Sequence, residues 1–372
     1  MKIVMVSDTC DQLNNGTTIT TWRIAEGLRR KGHDVKILAC GDHASPEYRA
    51  NEMWVPLMTY FCHREGIAVA EPDRKMFRRA FEDADVVHFL LPLFFEKQAM
   101  KVAMQMGVPM IAAFHLQPED VTYISHIEKA VSADFFYKVF NDYFYRNVGH
   151  IHCPSQFIAD ELKEHDYSAK LHVISNGIDD DFRPGHTDRG DGLFHILMVG
   201  RLSPEKRQDI LIDGVYLSKH ESSIQLHLAG KGPCEKELRR QAEKLTNPVT
   251  FGFYEKPDLI ALIHSCDLYV HASVVEIEAI ACMEAFACGL VPVISNSAIS
   301  ATRQFALDER SLFEADNASD LAGRIDYWFE HPAERAAMGK DYAEEGRKYR
   351  LSASVDKMEE MFREAIADSA GS

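Results

Sequence analysis

Phe194-His195-Ile196-Leu197-Met198-Val199 runs straight into Gly200-Arg201-Leu202-Ser203-Pro204-Glu205-Lys206-Arg207, and the reading of this stretch decides the fold. The first six residues, apolar but for one histidine, read as a strand covered on both faces, as in a parallel sheet. Gly200 breaks the run, and residues 208–219 follow with helical spacing, so the unit is strand, loop, helix. The loop carries Arg201 and Lys206 at the carboxyl end of the strand, the end at which open parallel sheets take ligands. A planar guanidinium grips two phosphate oxygens while an ammonium neutralises a third, which suits a diphosphate.

Working outward, the alternation continues. Strands are expected at 224–229, 249–253, 267–273 and 291–295, with helices at 235–245 and from Pro257, a residue suited to a first turn that needs no amide donor. Upstream, 3–7 reads as a buried strand and 17–31 as a helix with Ile19, Trp22, Ala25 and Leu28 on one stripe. Gly32 caps that helix, and 34–39 starts the next strand. Further strands fall at 86–89, 110–115, 150–155 and 171–175, with a helix over 134–147.

Alternation of this kind twice over predicts an α/β chain of two doubly wound Rossmann-like domains facing a cleft. The join lies near 176–192, where Gly, Pro, Asp and Arg replace apolar residues. The expected domains are 1–178 and 179–350, and 351–372 forms a C-terminal helix and tail. Val355, Met358, Met361, Phe362 and Ile366 give that helix an apolar face to pack back on the first domain.

Bulk composition narrows the function. At 372 residues the chain exceeds the size at which one core stops growing. A net charge of −16 argues against nucleic acid as a partner, because phosphate backbones demand a basic surface. The longest nearly apolar run, 86–95, is half of the roughly 20 residues that a membrane span needs. Met1-Lys2 leads directly into a core strand, so the expected location is the cytoplasm. The eight cysteines, at 10, 40, 62, 153, 234, 266, 282 and 288, form no C-x-x-C pair and read as small buried hydrophobes.

Two carboxylates stand eight apart beyond the loop. Glu276 follows a strand; Glu284 sits in a helix that Gly289 ends and that starts near Glu278. Carboxylates accept from paired hydroxyls, which sugars and ribose supply. Together with Arg201 and Lys206 they provide for a diphosphate at one end of a ligand and sugar hydroxyls at the other, which points to a nucleotide-sugar enzyme. Gly230-Lys231-Gly232-Pro233 makes another strand-to-helix turn. Asp179-Asp180-Asp181 matches the Asp-x-Asp pattern of metal-dependent donors, yet it follows an Asn-Gly turn rather than a donor-site strand.

These motifs, with Ser175-Asn176-Gly177-Ile178-Asp179 and the run from Glu284 to Ile294, resemble family 4 of the retaining GT-B glycosyltransferases along the whole chain. The resemblance implies that Arg201 and Lys206 hold the donor diphosphate, Glu284 the ribose, and Glu276 the transferred sugar. It places His115 near sugar and acceptor and Gly16 in the glycine loop after the first strand. The implied catalytic set is His115, Arg201, Lys206 and Glu276. The donor-binding set adds Gly16, Gly230, Gly232, Pro233, Ile277, Glu278, Ala279, Ile280 and Glu284. Two departures stand out: Ile277-Glu278-Ala279 adds a carboxylate after the first glutamate, and Asn14-Asn15-Gly16-Thr17 has one glycine where many relatives have two.

Relatives with an Asn-Gly loop of this type include diacylglycerol glucosyltransferases. The implied reaction is transfer of glucose from a UDP-sugar to a lipid hydroxyl with retention, without a metal or other cofactor. Aromatic segments 90–95 and 135–146, and the cations Arg29, Arg30, Lys31, Arg74, Lys75, Arg78 and Arg79, are candidates for peripheral membrane contact. Rival readings are a soluble or polysaccharide-precursor acceptor, a sugar-nucleotide epimerase of the same plan, and a non-catalytic binding module. A nicotinamide oxidoreductase is disfavoured, since residues 6–16 lack G-x-G-x-x-G.

Overall fold

The computed structural model describes residues 1–10, 16–54, 59, 68–119, 122 and 132–371. They fall into two compact units, one running to Gly177 and resuming at Leu351, the other spanning Ile178–Arg350.

In the first unit, β1 (Lys2–Thr9), α1 (Gly16–Arg30), β2 (Asp34–Cys40), α2 (Arg74–Phe81), β3 (Val86–Phe89), α3 (Phe94–Met106) and β4 (Met110–Ala113) alternate. Then come α4 (Ala133–Tyr143), β5 (His150–Cys153), α5 (Gln156–Glu164) and β6 (Lys170–Val173). The strands pair in parallel in the order β2-β1-β3-β4-β5-β6. Val4 lies between Lys36 on β2 and Val87 on β3, so β1 is covered on both edges. From Ile3 to Thr9 every β1 residue is buried, as expected of a central parallel strand.

In the second unit, β7 (Phe194–Val199), α6 (Gln208–Leu217), β8 (Ile224–Ala229), α7 (Glu235–Ala242), β9 (Thr250–Gly252), α8 (Lys256–His264) and β10 (Leu268–His271) follow the expected plan. It continues with α9 (Ile280–Ala287), β11 (Val291–Ser295), β12 (Leu312–Phe313), α10 (Ala318–Glu330) and α11 (Pro332–Gly346). Its parallel order is β12-β11-β10-β7-β8-β9, so chain order reverses between β7 and β10. The closing helix α12 (Leu351–Ala370) returns to the first unit and packs on α1, β3 and β4. It buries Val355, Met358, Met361 and Phe362 there.

Three details differ from the sequence expectation. On α1 the buried face is Thr18, Thr21, Ile24, Ala25 and Leu28, while Ile19 and Trp22 are half-buried. Threonines take the buried places that the apolar count assigned to larger residues. The helix that carries Glu284 begins at Ile280 rather than near Glu278, because Ala279 takes a left-handed conformation, φ 66°. Of the aromatic segments, Leu90, Leu91, Phe95, Tyr137, Phe144 and Tyr145 are core, and Phe94, Phe135 and Tyr143 are exposed.

Candidate active site

The reversal between β7 and β10 makes a switch point in the second unit, where the loops leaving the two strands diverge. Those loops are residues 200–207 and 272–279, and they hold Lys206 and Glu276. Lys206 closes the short 3-10 turn Pro204–Lys206, and its Nζ donates to Glu276 Oε1 at 2.6 Å. Seventy residues separate the pair in sequence. The loops are also joined through the backbone, Val274 N donating to Glu205 O at 3.0 Å. Glu276 is fixed from its far side by Ala301 N, which donates to its carbonyl at 2.8 Å.

The Glu276 side chain is only 13% exposed. Burial opposes its charge, yet the Lys206 ammonium and a hydrogen bond from His271 outweigh burial and hold the carboxyl well below the usual carboxylate range. It is therefore an ionised acceptor at physiological pH, suited to paired hydroxyls. Arg201 is half-buried on the same loop, and its carbonyl accepts from Gln208 Nε2 at 2.8 Å. Lys206 and the ionised Glu276 carboxylate form one constellation, with Arg201 on the same loop.

Gly230 and Gly232 serve this loop by close approach. A Cβ at 230 would lie 1.8 Å from Gly200 O, and one at 232 would lie 2.2 Å from Leu202 O. No side chain fits at either position, so the Gly230–Pro233 turn crosses directly over the cationic loop. The crossing is tied by Leu202 N to Lys231 O at 3.0 Å and Cys234 N to Leu202 O at 2.9 Å. Pro233 itself is exposed.

Of the remaining donor-set residues, Glu284 is buried one turn inside α9, Ile277 and Ile280 are half-buried, and Ala279 and Glu278 are buried. Glu278, at 1% exposure, does not open to solvent beside Glu276. The Asp-x-Asp pattern is engaged by Lys256, whose Nζ donates to Asp179 Oδ2 at 2.8 Å and Asp181 Oδ2 at 2.7 Å.

In the first unit Gly16 opens α1 and is exposed; Asn14 and Asn15 lie outside the described residues. His115 stands two residues past β4 rather than within it. Its ring meets His152 edge to face, centroids 5.4 Å apart. Burial, with the His152 ring beside it, lowers its pKa to about 3, so it is a neutral imidazole. Two acids escaped the sequence reading: Asp8 N donates to Glu96 Oε1 at 2.8 Å, and Asp8 Oδ1 accepts from Ala70 N at 2.9 Å. Burial, the Asp8 charge and the hydrogen bond to Asp8 raise Glu96 well above the usual range, so the pair holds a proton. His271 and Tyr269 were also missed, having been read only as part of an apolar strand.

Described cysteines 10, 40, 153, 266, 282 and 288 are buried, and Cys234 is half-buried; Cys62 lies outside the described residues. Among the described residues, no helix is long and apolar enough to cross a membrane.

This fold has counterparts among known proteins. Residues 14–182 match the family model described as Glycosyltransferase Family 4, and residues 181–345 match the one described as Glycosyl transferases group 1. The chain belongs to the family 4 GT-B glycosyltransferases. It is 25% identical to an α-monoglucosyldiacylglycerol synthase of Streptococcus pneumoniae, over 80% of this chain and 71% of that protein. It is 26% identical to a GDP-mannose-dependent α-mannosyltransferase of Corynebacterium glutamicum, over 79% of this chain and 72% of that protein. Its fold matches the crystal structure of Anabaena HepE in complex with UDP, TM-score 0.74 at 18% identity, over 97% of this chain and 99% of that one.

Proposed function

We propose that this glycosyltransferase moves glucose from a UDP-sugar to a lipid hydroxyl of the 1,2-diacylglycerol class, with retention of configuration and without a metal. The observation that carries the donor reading is the Lys206–Glu276 pair at the switch point of the second unit, with Arg201 on the same loop. Lys206 and Arg201 neutralise the diphosphate as its charge grows, Glu284 takes the ribose hydroxyls, and Glu276 takes those of the sugar. Binding and charge stabilisation account for the catalysis. The acceptor oxygen bonds to the anomeric carbon on the face that the diphosphate leaves. The carbon–oxygen electron pair departs with the phosphate, and the acceptor proton passes to a phosphate oxygen. His115, neutral, hydrogen-bonds sugar or acceptor rather than supplying charge.

The lipid acceptor is supported by the synthase relative. It is supported also by the exposed Phe94, Phe135, Val139 and Tyr143 of the first unit, with Lys97 over the Tyr143 ring at 5.3 Å. On this reading the first unit receives the acceptor and touches the membrane surface at the cytoplasmic side. The mannosyltransferase relative favours one alternative, a GDP-mannose donor.

Purified protein is incubated with UDP-glucose, UDP-galactose or GDP-mannose and diacylglycerol vesicles, with and without chelator, and products are identified by mass spectrometry and NMR. An α-glucosyl lipid formed from UDP-glucose in chelator is expected. Product from GDP-mannose alone would replace the donor, and activity restored only by magnesium or manganese would remove metal independence. A donor altered without any acceptor would establish the epimerase instead.

A further inference from the structure

Glu276 Oε1 takes two hydrogen bonds, one from Lys206 and a second from His271 Nε2 at 3.0 Å. Behind the imidazole, the Tyr269 hydroxyl lies 3.2 Å from His271 Nδ1 and 3.4 Å from Val199 O. Tyr269 and His271 stand two apart on β10, so the pleat turns both to one face of the sheet. Both are buried, His271 at 2% exposure and Tyr269 at 0%. Neither has a part in the donor chemistry above.

We infer that His271 is a positioning residue for the transfer, its Nε2–H fixing the Glu276 carboxylate while Lys206 bears the diphosphate. The inference rests on the donor reading just given and assigns a residue to that site. Lys206 is asked to serve two anions, and its flexible stem lets it follow the phosphate. A mostly buried carboxylate with no donor except that ammonium would be left without a partner whenever the ammonium moved, which is strongly disfavoured. The imidazole is the donor that stays, because β10 is held on both sides, by β7 and β11.

The proton arrangement follows from the partners. An ionised carboxylate only accepts, so Nε2 carries a proton. Nδ1 faces the Tyr269 hydroxyl, which in turn donates to Val199 O. Tyr269 thus orients the ring that orients Glu276, an indirect support of the kind that sets ligand geometry in built sites.

The test compares His271→Phe, His271→Gln and wild type. A glutamine amide reaches the place of Nε2 and keeps an N–H donor; phenylalanine keeps only the ring. Binding of uridine diphosphate and of UDP-glucose is measured by calorimetry, and transfer by initial rates. His271→Phe is expected to bind uridine diphosphate within about twofold of wild type, yet to lose about 10- to 100-fold in kcat/KM for transfer, the size of a lost hydrogen bond to a charged group. His271→Gln is expected to recover about tenfold of that loss. Wild-type kcat and KM in His271→Phe would overturn the inference, as would a folded His271→Gln no better than His271→Phe. Should His271→Phe fail to fold, nitrogen-15 NMR of the wild-type ring decides: Nε2–H supports the inference, and a bare Nε2 overturns it. Wild-type protein that binds no uridine diphosphate would instead sink the donor reading, a result the NMR arm keeps separate.

Discussion

The two sheets share a parallel plan but differ in what they bury at the carboxyl ends of their central strands. In the second unit the switch point holds an ion pair, Lys206 with Glu276, and the charge of the carboxylate survives burial. In the first unit β1 carries Asp8 next to its end, its partner Glu96 lies on α3 just after β3, and that pair survives burial only by holding a proton. Two carboxylates cannot both ionise at close range in a dry site, whereas a carboxylate and an ammonium can. The same topology therefore yields one end charged for anions and another electrically muted. The first sheet extends the theme with neutral imidazoles: His88, His115 and His152 are all buried, and burial lowers the pKa of each.

The largest expected effect breaks the charged side of this contrast. Lys206→Ala and Arg201→Ala should each lower kcat by about 100- to 1000-fold, about 3 to 4 kcal/mol, comparable to removing one preorganised oxyanion donor. Steady-state rates check this, and wild-type turnover would remove either residue from the role. Lys206→Ala also leaves Glu276 with His271 as its sole named donor, so its loss should exceed that of Arg201→Ala.

Acid sharpens the comparison. In the first unit burial lowers His115 to about 3 and His152 to about 4, and His88 falls well below its ordinary value. In the unfolded chain these rings take up a proton near pH 6.5. Between that pH and the folded values the unfolded state binds more protons, so stability is full above about pH 6.5 and falls as pH drops. The slope is about 1.4 kcal/mol per pH unit for each such ring. In the second unit burial lowers His227 to about 4. Hydrogen exchange from pH 7 to 4 should therefore show β3, β4 and β5 losing protection before β7, β8 and β10. Earlier loss from the second sheet would contradict the contrast.

The smallest effect lies in the acid pair. Glu96→Gln keeps an acceptor for Asp8 N and supplies its own proton, so urea unfolding should shift by no more than about 1 kcal/mol. A cost well above 2 kcal/mol would mean that Glu96 is ionised after all.

The sequence made the sheets plain because parallel strands are short apolar runs, and Phe194–Val199 or Val291–Ser295 allows no other reading. The cationic loop was equally plain, since its position after such a strand sets where its charges point. What lay hidden depends on adjacency across long separations: Asp8 meets Glu96 across 88 residues. Gly230 and Gly232 looked like turn formers, and only the crossing over Gly200 and Leu202 reveals why no side chain fits. His271 left a faint signal, a titratable residue in a strand otherwise apolar and aromatic, with Tyr269 on the same face. β12 was missed because two residues carry too little pattern.

Diffraction from crystals soaked with uridine diphosphate would show where the diphosphate sits. Diphosphate density is expected against the Arg201 guanidinium and the Lys206 ammonium, with Glu276 still bonded to His271. Diphosphate bound elsewhere, with Arg201 and Lys206 turned to solvent, would contradict the donor reading.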